Sequence, residues 1–78
     1  MTPRSILIEL AATQLHTYRS DINADNAHAA VEHICTMQPR CADYYHSGLT
    51  QQALERLVNA VVRTAQKRAD FEARRAAR

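Results

Sequence analysis

Residues 49–76 read LTQQALERLVNAVVRTAQKRADFEARRA, and the placement of leucine and valine within that stretch decides the fold class. Leu54, Leu57, Val58, Val61, Val62 and Ala65 recur at three- and four-residue steps, the period of one face of an α-helix. Thr50 stands at an N-cap position, and Leu49 is placed to pack on Leu54 across the first turn as a hydrophobic staple. Nothing resembling a stop signal occurs before Ala76. The spacing therefore predicts one helix from Gln51 to Ala76, roughly 40 Å long at about 1.5 Å per residue. A compact chain of this size is only about 30 Å across. The basic end, about residues 66–78, is thus expected to protrude, fray or lie against another molecule.

The preceding sequence has the same character. Thr2-Pro3 suits a helix start, with threonine as cap and proline at the first helical position. Leu7, Leu10, Ala11, Leu15 and Tyr18 then follow at helical steps, interrupted on that face by Gln14 alone. This predicts a first helix over about Pro3 to Ser20. Asn23 or Asp25 can open a second helix, whose apolar side carries Ala27, Ala30, Val31, Ile34 and Cys35. Pro39 ends it near Met37, because the residue before a proline is pushed out of the α region. Between Pro39 and Gly48 the pattern favours a short helix closed by glycine in a left-handed cap, with an ordered loop as the alternative.

Composition supports an all-α reading. Fourteen alanines stand against one glycine and two prolines, and there are only four aromatic residues; alanine loses no side-chain entropy in a helix, and strands favour aromatic and β-branched residues. The expectation is a single domain over residues 1–78, a small bundle of three to four helices with a long C-terminal helix. No run approaches the roughly 20 apolar residues a membrane crossing requires. The first ten residues lack the apolar core and cleavage site of a signal peptide. A cytoplasmic protein with reduced thiols is expected, with no membrane partner.

Chemistry-bearing residues are few. His33, Cys35, Cys41 and His46 are weak candidates for a metal site. Zinc takes four such ligands in a tetrahedron, but structural sites pair ligands at closer, regular spacings. His33 and Cys35, two apart on a helix, point roughly 200° apart. The residues are better read as thiols and solvated histidines, so no cofactor is expected. A Cys35–Cys41 disulfide is sterically conceivable across Pro39, but a reducing compartment opposes it. A Cys–His nucleophile would also need an orienting group, an oxyanion hole and a pocket, which a short helical chain with one glycine rarely builds. No enzyme is expected.

Two binding surfaces suggest themselves. Leu54, Leu57, Val58, Val61 and Val62 form an apolar stripe wider than the short neighbouring helices are expected to cover, which points to a homo-oligomer or a protein partner. Tyr44 and Tyr45 are candidate anchors beside it or plugs over the helix ends, one inward and one outward. Charge gives the second surface. Residues 63–78 hold Arg63, Lys67, Arg68, Arg74, Arg75 and Arg78 against two acids, whereas residues 1–62 hold four arginines against six acids. A basic helical end can contact phosphates. Reading Pro39–Ala65 as helix-turn-helix is disfavoured, because the second helix is too long and too apolar for a recognition helix. The leading expectation is a small non-enzymatic interaction module docking on a protein or complex, as an inhibitor or regulator of phage or mobile-element type. The alternative is a nucleic-acid-binding or transcription-regulatory protein that uses the arginine-rich helix.

Overall fold

The computed structural model describes residues 2–18 and 21–77. Four helices occur among the described residues, α1 (Pro3–Thr17), α2 (Ala24–Met37), α3 (Pro39–Tyr45) and α4 (Gln51–Ala76), and no strand. The protein is an all-α bundle with a long C-terminal helix. Each of the three longer helices begins at a side-chain cap. Thr2 Oγ1 accepts from the Ser5 amide at 3.1 Å, Asn23 Oδ1 from the Asn26 amide at 2.8 Å, and Thr50 Oγ1 from the Ala53 amide at 3.0 Å. These contacts satisfy amides that the first turn leaves without helical partners. α1 closes at Thr17 with Tyr18 as its C-cap, short of the expected end, and Arg19 and Ser20 lie outside the described residues. The short helix α3 forms as expected, and Gly48, at φ 95°, supplies the left-handed residue in the turn that follows.

α1 and α2 are the centre of the bundle. Each packs on the other three helices, while α3 and α4 make no contact with each other. The core joins Leu7, Ile8, Ala11, Ala12 and Leu15 of α1 to Ala27, Ala30, Val31 and Ile34 of α2, Cys41 of α3, and Leu57, Val58, Val61 and Ala65 of α4.

One expectation needs correction. Leu57 and Val61 are 0% exposed and Val58 is 8% exposed within a single chain. They are not left over for a partner. Alanines explain the difference: Ala11, Ala12, Ala27 and Ala30 are all buried, and such small side chains let α1 and α2 approach α4 closely enough to enclose its leucine and valines. Leu54 and Val62 remain half-buried at the margin of this core. The tyrosines also differ from expectation. Tyr44 and Tyr45 are both half-buried against the core, because α3 rests on α1 and α2 together and neighbouring positions each find cover.

The long axis spans 45 Å against 23 and 21 Å for the others. α4 sets this length. Its last buried residue is Ala65, and every residue from Asp70 to Ala77 is exposed, so the end of the helix outruns the core as its length implied. No described helix is long and apolar enough to cross a membrane.

Candidate functional site

The cations of α4 divide by geometry into two sets that the linear sequence does not separate. Arg56, Arg63, Lys67 and Arg74 follow one another at steps of seven, four and seven residues. At about 100° per residue those steps confine all four to about 40° of arc, along roughly 27 Å of helix. The stripe faces away from the Leu57–Val61 line, and all four side chains are exposed. Among the described residues none of the four has a carboxylate within salt-bridge distance. The packing of α1 and α2 on one side of α4 leaves this opposite side uncovered. Arg56 was absent from the expected phosphate contacts because it lies among the acids of residues 1–62. Its membership follows from the helical step alone.

Arg68 belongs elsewhere. Its guanidinium pairs with the Glu9 carboxylate and donates to Thr13 Oγ1 at 2.7 Å, joining α4 to α1. Arg75 lies on the same side as Arg68, beside Phe71, in a shallow cleft also lined by His16, Lys67 and Glu72. Phe71 is 63% exposed. His16 Nε2 lies 3.0 Å from a Glu72 carboxylate oxygen, so Glu72 is turned toward α1. Asp70 borders the stripe, and its carboxylate accepts from Gln66 Nε2 at 3.1 Å. Arg78 lies outside the described residues.

The candidate metal ligands do not converge. No group of three or more His, Cys, Asp or Glu side chains suited to a metal ion occurs among the described residues. His33 Nδ1 donates to Gln14 Oε1 at 2.6 Å, which places the one polar interruption of the α1 face opposite a polar partner on α2. His46 stacks edge-on against Tyr45, with ring centroids 5.2 Å apart. Cys35 and Cys41 are free thiols. Burial pushes both thiols above their ordinary pKa, and at Cys35 the neighbouring Cys41 and Glu32 add to the effect. Thiolate, the nucleophilic form, is therefore disfavoured at both positions.

A second polar group bridges α2 and α3. His28 Nε2 lies 3.0 Å from the Tyr45 hydroxyl and 3.4 Å from Glu32 Oε1. Burial raises the Tyr45 pKa, and the Glu32 charge and Cys35 raise it further. This group ties α3 to α2 and includes no activated nucleophile.

No protein-family model matches the chain, and no curated protein or solved structure shows significant similarity to it.

Proposed function

We propose that this protein is a non-enzymatic helical module that binds a polyanion, foremost nucleic acid, through the outer face of α4. One observation carries the reading: Arg56, Arg63, Lys67 and Arg74 form an exposed line with no carboxylate partners among the described residues. Like charges aligned on a rigid helix repel one another, and a row of phosphates relieves that repulsion while releasing condensed counterions. Raised thiol pKa values and the scattered histidines support the absence of catalysis. A cytoplasmic setting, where both thiols stay reduced, goes with this reading.

The test is a salt titration of binding to nucleic acid. Changing Arg56, Arg63, Lys67 or Arg74 to Gln should each lower the slope of log K against log salt by about 0.9. Arg68→Gln should leave the slope unchanged. Equal effects from Arg68→Gln and the stripe variants would refute the assignment.

Docking on a protein, as a regulator or inhibitor of phage or mobile-element type, is a second reading. Phe71 favours it, standing exposed between Lys67 and Arg75, since an aromatic flanked by cations suits an anchor on an acidic protein surface. Half-buried Leu54 and Val62 could extend such a contact or one with a second copy. Under this reading Phe71→Ala abolishes partner binding; under the first it leaves the salt slope intact.

A further inference from the structure

We infer that the ligand of the α4 stripe is duplex nucleic acid, held by its phosphate backbone without readout of base sequence. This rests on the polyanion reading above and narrows it.

Rigidity is the first reason. The four cations sit along roughly 27 Å of one continuous helix. A duplex, with a persistence length of about 50 nm, presents a phosphate row that is equally stiff over this distance. A flexible single strand would have to be straightened to match, and that ordering costs entropy. Single-strand binders offset such a cost by stacking successive bases on aromatic side chains, each worth about 1–3 kcal/mol. A row of such aromatics is missing from this face, which Phe71 alone borders. Phe71 is the one aromatic residue of α4, while Tyr44 and Tyr45 are half-buried on α3, which does not touch α4.

The narrowness of the stripe is the second reason. A helix seated in a major groove about 12 Å wide meets phosphates on both walls. Such a helix needs cations on both flanks. Here Arg56, Arg63, Lys67 and Arg74 keep to one line. On the flank toward α1, Arg68 is paired with Glu9 and Arg75 alone adds a charge, while Asp70 lies on the other flank with Gln66 committed to its carboxylate. Insertion would bring that carboxylate toward a wall of phosphates. A helix laid against one backbone avoids this, and a backbone contact carries no sequence information.

The experiment uses the full chain with three probes: two unrelated duplexes of roughly 20 base pairs, each about 70 Å long, the corresponding single strands, and heparin. The expected result is binding to both duplexes within about threefold of each other, with a salt slope near −3.6, four contacts at about −0.9 each. Single strands should bind at least about tenfold more weakly, with a slope near −2.8 if they use the same contacts. Single strands binding as tightly as duplex would overturn the inference and leave the polyanion reading standing. So would a preference of about 10³ for one duplex, the scale of true sequence specificity. Failure of all three probes to bind at low salt would overturn both.

Discussion

Arg68 on α4 and Glu9 on α1 form an ion pair between positions 59 residues apart in the chain. Thr13, one turn beyond Glu9, accepts a second bond from the same guanidinium at 2.7 Å. The contact fastens α4 to α1 next to Ala65, the last buried position of α4. It also takes Arg68 out of the set of cations available to a ligand. Both side chains are partly exposed, at 34% and 48%, so solvent weakens the pair. A double-mutant cycle of Arg68→Ala and Glu9→Ala should give a coupling of about 0.2–1 kcal/mol in urea denaturation. Zero coupling would mean that the pair contributes nothing to holding the helix.

Leu57 and Val61 are wholly enclosed by one chain. Leu57→Ala should therefore cost about 2–5 kcal/mol, through lost burial and the cavity left behind. Because the pocket is intramolecular, that loss should be independent of protein concentration. A thermal midpoint that rises with concentration in the parent protein would instead show that folding is coupled to association.

Most of the fold was legible because each boundary depends on local chemistry. Thr2, Asn23 and Thr50 are caps, Pro39 separates α2 from α3, and Gly48 takes the left-handed turn. What the sequence obscured was cover. Leucine and valine announce a core, whereas Ala11, Ala12, Ala27 and Ala30 register first as helix formers, and their role in close helix approach emerges only when the helices are packed. The basic stripe was half visible for a related reason. Grouping cations by position along the chain collects Arg68 and Arg75 with Lys67, while the helical repeat places Arg56 with Arg63, Lys67 and Arg74. Nothing in the spacing announces that Arg68 meets Glu9, since that pairing depends on how α1 and α4 cross.

Gly48 is tested by its backbone. Its φ of 95° is one that L-residues rarely adopt, and a Cβ built there meets no atom within 4 Å. Gly48→Ala should thus destabilise by conformational strain alone, on the order of 1–2 kcal/mol. Asn tolerates left-handed backbone better than Ala, so Gly48→Asn should cost less. Equal losses in chemical denaturation would point to a contact in place of strain.

Alkaline pH should loosen the bundle. Burial raises the pKa of Cys35, Cys41 and Tyr45, so the fold favours their neutral forms. The stability this contributes is complete below the ordinary thiol value of 9.0 and is lost as pH rises through the higher values of the folded protein. Tyr45 adds a second decline that begins above its ordinary value of 10.0. The thermal midpoint should accordingly fall above about pH 9. Changing Cys35 and Cys41 together to Ala should delay the onset toward the phenol range. An unchanged onset in that variant would assign the alkaline transition to other groups.

Asp70 offers the most direct check on the polarity of the stripe. Its carboxylate lies between Lys67 and Arg74 in sequence and accepts from Gln66, with no cation partner among the described residues. Near a phosphate row it repels the ligand without forming or removing any phosphate contact. Asp70→Asn should therefore tighten binding to duplex several-fold at low salt, and the difference should shrink as screening shortens the reach of the charge to about 8 Å at physiological ionic strength. The number of cations at phosphates stays at four, so the dependence on salt should otherwise follow the parent. Glu55→Gln, closer to the core end of α4, provides a comparison of the same charge change farther from the Lys67–Arg74 segment. If Asp70→Asn leaves affinity unchanged while Glu55→Gln raises it, the ligand sits nearer the start of α4, and Lys67 and Arg74 are not its contacts.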